Sequence, residues 1–265
     1  MTRTVIAGVI LGGAAFSAHA QDSADADALA KQLSNPVASL ISLPAQTNFD
    51  TGMGDGDGER WTLNVQPVVP ISISEDWNLI SRTIVPLIDQ RDVIGDDSQS
   101  GLGDVTQSLF FSPKQPIANG WILGVGPALL LPTATDDLLG AEQWAAGPTA
   151  VMLKQTDRGW TYGALVNHLW SFAGEDDRAD VNATFLQPFL SKGLGRGQTL
   201  SLNFESSYDW NAGQWNVPLN LSYSRVTKAG TQLISWGGGA RAYLEAPDGG
   251  ADWGLRFVVT LLFPK

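Results

Sequence analysis

Hydrolytic or acyl-transfer chemistry needs a nucleophile, a base and an orienting group within hydrogen-bond reach. After residue 20 the chain offers one histidine, His168. On period-two alternation His168 shares a face with Val166 and Trp170, while Ser171 falls on the opposite face. No Gly-x-Ser-x-Gly occurs. His168 therefore reads as an interfacial side chain, and the expectation is no catalytic residue and no enzyme. Asp55-Gly56-Asp57-Gly58-Glu59 resembles part of a calcium loop, but lacks the later spacing and the bidentate glutamate. It reads as a solvated acidic loop, with weak cation bridging to lipopolysaccharide or between loops as the sharper alternative. The expectation is no metal and no cofactor. With no cysteine, disulfides, thiolate metal sites and cysteine catalysis are excluded.

The remaining chemistry is recognition by charged and amide side chains at alternating positions. One parity collects Arg60, Asn64, Arg82, Asp104, Asn203, Glu205, Arg241 and Arg256. Gly124, Gly126, Gly237 and Gly239 share it. If this parity faces a lumen, mixed arginine and carboxylate walls set solute selectivity. Alternatively these groups pair across a packed lumen that passes nothing. Arg82 and Asp104 fall on neighbouring strands and are candidates to pair.

The elements that position these residues are strands. Leu200, Leu202, Phe204, Tyr208 and Trp210 alternate with Ser201, Asn203, Glu205, Ser207 and Asp209. Trp253, Leu255, Phe257, Val259, Leu261 and Phe263 alternate with Gly254, Arg256 and Thr260. Gly, Pro, Asp and Asn clusters cut the chain into runs at about 37–49, 60–72, 77–88, 102–113, 121–132, 144–154, 159–172, 181–191, 199–210, 214–226, 232–245 and 252–263. Most are about twice the usual soluble strand and long enough to cross a bilayer at a tilt. The runs 77–88 and 181–191 alternate poorly, so ten, twelve or fourteen strands fit, with twelve preferred.

Composition agrees. The chain has 265 residues, 27 acidic and 16 basic side chains, and a net charge of -11. The acidic balance argues against nucleic-acid binding. Only 16% of residues are charged, low for a soluble domain. After residue 20 no run is apolar enough for a membrane helix. Residues 1–20, with Arg3, an apolar stretch from Val5 to Leu11 and Ala18-His19-Ala20, read as a secretory signal peptide. Residues 21–36 read as a periplasmic segment, either disordered or a short helix that plugs the lumen, and 37–265 as the barrel.

Alternate connections are long and acidic, among them 50–59, 89–101, 133–143 and 173–180. The others are shorter and hold Lys114, Arg158, Lys192, Arg196 and Lys228. That asymmetry belongs to outer-membrane barrels. Trp61, Trp77, Trp121, Trp160, Trp170, Trp210, Trp215 and Trp253 fall near run ends, where an indole suits the membrane–water interface. Strand edges in lipid leave backbone groups unpaired, so the sheet must close. The expected fold is all-β, a closed antiparallel transmembrane β-barrel.

The chain also resembles a known family through several motifs. They are Asp27 to Pro44, Trp77 to Pro86, Gly101-Leu102-Gly103-Asp104-Val105, Gly147-Pro148-Thr149 and the Leu262-Phe263-Pro264-Lys265 end. It is the bacterial outer-membrane transporter-like family named for the MetA pathway of phenol degradation. The resemblance implies uptake of small solutes, aromatic or hydrophobic compounds among them. The function expected is porin-like passive transport across the bacterial outer membrane. The alternative is a structural or surface-interaction barrel with a filled lumen. Expected partners are outer-membrane lipid and lipopolysaccharide, the outer-membrane insertion machinery and a small-molecule solute.

Overall fold

The structure is a computed structural model that describes residues 24–264. The expected signal peptide lies outside the described residues. A helix, α1, spans 24–33. The strand segments that follow are β1 (Ile41–Met53), β2 (Gly58–Val65), β3 (Val68–Ser72), β4 (Trp77–Arg91), β5 (Ser98–Leu102), β6 (Val105–Pro113), β7 (Trp121–Leu131), β8 (Gln143–Gln155), β9 (Trp160–Gly174), β10 (Asn182–Gly195), β11 (Gln198–Phe204), β12 (Ser206–Asp209), β13 (Gln214–Asn216), β14 (Pro218–Ala229), β15 (Gln232–Tyr243) and β16 (Trp253–Phe263).

Four passes are interrupted, β2/β3, β5/β6, β11/β12 and β13/β14, so the segments make twelve passes. One break is at Pro67, which has no N–H to give the ladder; its carbonyl still accepts from Thr83 N at 3.2 Å. All neighbours are antiparallel. β1 pairs with β16 and β10 with β11, which closes the barrel. No backbone edge faces lipid, as a bilayer requires. Among the described residues no helix is long and apolar enough to cross a membrane.

The alternation holds where it was weakest in the sequence. β4 and β10 are complete passes. Outward positions form an apolar belt: Val125, Met152, Val166, Leu190, Leu221, Phe257 and Val259 are between 39% and 54% exposed. Exposure of that extent belongs against lipid acyl chains. The tryptophans bracket the belt. Trp61, Trp170, Trp210, Trp215 and Trp253 lie toward the loop end, and Trp77, Trp121 and Trp160 toward the end that bears both termini. This is an outer-membrane β-barrel.

Two details depart from expectation. The first strand starts at Ile41, not residue 37. Val37 and Leu40 are apolar because they are buried inside the barrel, not because they belong to the ladder. The first acidic connection is also short. β1 runs to Met53 and the turn is only 54–57, with Gly54 and Asp57 at positive φ, 65° and 53°. A glycine meets that backbone requirement without strain.

Candidate functional site: the barrel lumen

Closure turns the inward parity into an inner wall with two halves. Direct cross-strand partners form a row: Asn203, Asn220, Arg241, Gly254, Asp50, Arg60, Gln90, Gln99, from β11 to β5. Hydrogen bonds zip much of it. Asn220 Nδ2 donates to Asn203 Oδ1 at 2.9 Å. Arg241 Nη1 reaches Asp50 Oδ2 at 3.2 Å. Arg60 Nε donates to Gln90 Oε1 at 2.7 Å, and Gln90 Nε2 to Gln99 Oε1 at 2.8 Å. Gly254 lies between Arg241 and Asp50 in this row, and a Cβ there would strike the Asp50 carboxylate. Its missing side chain lets the pair meet over it.

The adjacent row carries small polar residues: Ser191, Ser201, Ser222 and Gly239, then Arg256, Asn48 and Thr62. Arg256 donates from Nη1 and Nη2 to Glu205 Oε1 and Oε2 at 2.8 and 2.7 Å, and from Nε to Asn48 Oδ1 at 2.8 Å. Gln187 Nε2 lies 3.4 Å from Glu205 Oε1. Charge-assisted bonds of this two-pronged form are strong and fix geometry. The opposite side of the wall carries an apolar cluster. Ile80, Phe110, Val151, Leu153 and Leu165 pack together with Val37. Gly124 makes room there, because a Cβ would lie 2.9 Å from Val37 Cγ1.

The helix closes the end that bears both termini. Leu29, Ala30 and Leu40 are buried against Val226 and Leu262 on the inner wall. Polar contacts fix its position. Gly197 N donates to Asp27 Oδ1 at 2.6 Å, and Gln155 Nε2 to Lys31 O at 2.7 Å. Ser39 Oγ accepts from Asn78 Nδ2 at 2.8 Å. Of the two states the sequence left open for this segment, the structure has the docked helix. Above it a cavity of ≈460 Å³ remains, floored by Ala30, Leu33, Ser34 and Pro36. Its wall includes Asn64, Gln66, Arg82, Phe185, Gln187, Phe189, Asn203, Glu205 and Arg256.

Seven of the eight residues singled out in the sequence thus meet in the lumen: Arg60, Asn64, Arg82, Asn203, Glu205, Arg241 and Arg256. Asp104 has a different role and does not pair with Arg82. Its Oδ1 accepts from Thr133 N and Ala134 N, both at 3.1 Å, and its Oδ2 from Ala141 N at 2.6 Å. It anchors the 132–142 loop, and Arg82 instead donates to Gln66 Oε1 at 3.1 Å. Gly101 belongs to the same device, since a Cβ there would collide with Thr135.

Sequence reading missed Asp50 and Gln90 because their runs were ended too early, and Gln99 because its run was begun too late; Asn48 lay inside the run 37–49 and was not singled out. The alternation Gln46, Asn48, Asp50 and Ile88, Gln90 continues through those positions and was the available signal.

His168 faces outward, with Nδ1 2.7 Å from Thr184 Oγ1 and its ring 3.9 Å from that of Trp170. Among the described residues its Nε2 has no hydrogen-bond partner. Ser171 bonds Asp180 instead, at 2.9 Å. Among the described residues no group of three or more metal-ligating side chains occurs.

Comparison with known proteins agrees with this architecture. A family model described as "Putative MetA-pathway of phenol degradation" matches residues 41–265. No curated protein matches the chain. Among solved structures, the COG4313 outer membrane channel from Pseudomonas putida F1 is similar, with a TM-score of 0.67 at 13% identity. The match covers 85% of this chain and 96% of that one. The outer membrane phospholipase (OMPLA) dimer of Salmonella typhi with bound calcium gives a TM-score of 0.50 at 14% identity, over 92% of this chain and 98% of that one. At such identities the likeness is one of fold.

Proposed function

The chain belongs to this MetA-pathway phenol-degradation family, and from that premise we propose that it mediates passive passage of small solutes across the outer membrane. The observation that carries this reading is the ≈460 Å³ cavity inside the lumen, lined by mixed polar and apolar side chains and floored by α1. A barrel built only as a scaffold gains nothing by keeping four guanidinium groups on its inner face, where each costs desolvation. Small side chains on the Ser191–Gly239 row keep the space open. The seven inward residues set selectivity, and no step needs a cofactor or covalent chemistry. Residues 1–20 direct export and are removed, so the helix lies on the periplasmic side and the acidic loops face outward. Lipid and lipopolysaccharide surround the belt, and insertion depends on the outer-membrane assembly machinery. The aromatic or hydrophobic solute class implied by the family fits the apolar part of the cavity lining, Val68, Ile84, Phe185 and Phe189 among it.

Planar-bilayer recording of residues 21–265 tests this. The expected result is a small conductance that rises when residues 22–35 are deleted. Arg82→Ala and Arg241→Ala should each shift the reversal potential in a salt gradient. A silent bilayer from both the full and the helix-deleted protein would overturn transport. It would favour the rival reading, a filled surface-interaction barrel, which draws on the same closure by α1.

A further inference from the structure

The cavity has three ionisable residues in its lining, Arg82, Glu205 and Arg256. Glu205 and Arg256 satisfy each other through two hydrogen bonds, with both carboxylate oxygens engaged. Arg82 has no carboxylate within ion-pair distance among the described residues. A guanidinium carries five N–H donors, and one hydrogen bond from it is present, to the neutral amide of Gln66. One positive charge with free donors therefore faces the cavity. In the same lining Phe185 and Phe189 lie four residues apart on one face of β10, and Val68 and Ile84 line the cavity as well.

We propose that this cavity is a binding subsite for a small aromatic carboxylate. The carboxylate takes the free donors of Arg82, and the ring lies against Phe185 and Phe189. Arg82 is half-buried with its free donors open to the cavity, and an anion of matched geometry engages them through charge-assisted, bidentate bonds. The polar partner Gln66 is neutral, so it holds the guanidinium in place without cancelling its charge. The cavity volume lies within the ordinary range for small-molecule sites. Glu205 works in the same direction. Both of its oxygens are held by Arg256, so it makes no ion pair with Arg82, and its charge disfavours dianions such as phosphate.

The inference deepens the transport reading by naming the solute class, and its test separates the two. Isothermal titration of the folded 21–265 protein in detergent uses benzoate, with benzamide as its neutral counterpart and acetate and inorganic phosphate as small anions. Benzoate is expected to bind saturably at one site, about tenfold or more tighter than the other three. Arg82→Gln should abolish that preference, and Arg82→Lys should restore part of it. Phe185→Ala together with Phe189→Ala should bring benzoate down to the affinity of acetate. Equal binding of benzamide and benzoate, or benzoate binding unchanged by Arg82→Gln, overturns the anion subsite. Phosphate binding as tightly as benzoate overturns the aromatic part. Folding of each variant is checked by heat-modifiable gel migration, and the Lys variant guards against a folding defect at Arg82. Flux into reconstituted vesicles is read separately. Saturable benzoate binding without solute flux sinks transport and keeps the subsite; flux with no benzoate preference does the reverse.

Discussion

Arg256 and Glu205 form a two-pronged pair although two strands, β14 and β15, separate their positions in the sheet. The bond therefore crosses the interior rather than running along the wall. It ties the β16 wall to the break between β11 and β12, where Glu205 N donates to Pro218 O at 3.1 Å. Both side chains are largely buried, 6% and 21% exposed. Removing one partner leaves the other charge uncompensated. Glu205→Gln is expected to destabilise the barrel by about 2–3 kcal/mol. The double change Glu205→Gln with Arg256→Gln should cost less than the sum of the singles. Urea midpoints followed by gel migration of unheated samples measure both.

The helix is held at the mouth by a small apolar contact. Leu29 is 7% exposed, and burying a leucine contributes about 2 kcal/mol. Leu29→Asp should release α1 while the barrel stays folded. Trypsin should then cut after Lys31 in the native protein, and bilayer conductance should rise toward that of the helix-deleted chain.

Gly124 and Val37 test the fit of the segment after the helix. Gly124→Val places new carbon on the Val37 methyl groups, and overpacking costs about 1–3 kcal/mol. Val37→Ala in the same chain should recover most of that loss. Thermal shifts of the two single variants and the double read this coupling.

Asp104 accepts three backbone N–H bonds from one loop. Asp104→Ala leaves those amides without their carboxylate, at about 1–3 kcal/mol of local stability. Hydrogen exchange of Thr133, Ala134 and Ala141 should speed up while the strand amides of β8 and β9 stay protected.

Acid should tighten that same loop. Partial burial, with the carboxylates of Asp137 and Glu175 beside it, raises Glu142 above its ordinary value of 4.5, and Arg178 opposes the shift. Arg178 Nε lies 3.0 Å from Glu142 Oε2. A carboxyl whose folded pKa is raised takes up its proton more readily folded than unfolded. Its ionised form therefore strains the loop above the raised pKa, and the strain is relieved as pH falls through that value toward 4.5. Protection factors at 132–142, corrected for the intrinsic pH dependence of amide exchange, should rise over this window, and Glu142→Gln should abolish the rise. Protection factors that fall on acidification would mean that the Arg178 ion pair dominates.

Much of the lumen was legible because side-chain direction in a strand is a local property. Period two alone put Arg60, Arg82, Asn203, Glu205, Arg241 and Arg256 on one face, and the opposite face, nearly free of charge, made that side the inside. Asp50 and Gln90 were hidden by a boundary error, since an aspartate or glutamine at a strand end looks like loop chemistry until the ladder is seen to continue. Asp104 misled for the complementary reason. It has the right parity and stands at a break, where an inward carboxylate bonds loop amides rather than a guanidinium.

By itself the amino-acid order determined the barrel, the membrane belt and the sense of each strand face, because alternation, turn residues and interfacial tryptophans act within a few positions. Only the tertiary structure decided which charges meet. Partners such as Arg256 and Glu205 depend on how twelve passes are staggered around a closed wall, and stagger is set by all the ladders together. It likewise decided that 24–33 folds as a helix in the mouth. That segment gains its stability from Val226 and Leu262, residues brought beside it only when the sheet closes. The unmatched charge of Arg82 is of the same kind. Its residue type was visible from the start, but its lack of a carboxylate partner emerged only once the other arginines and acids had paired.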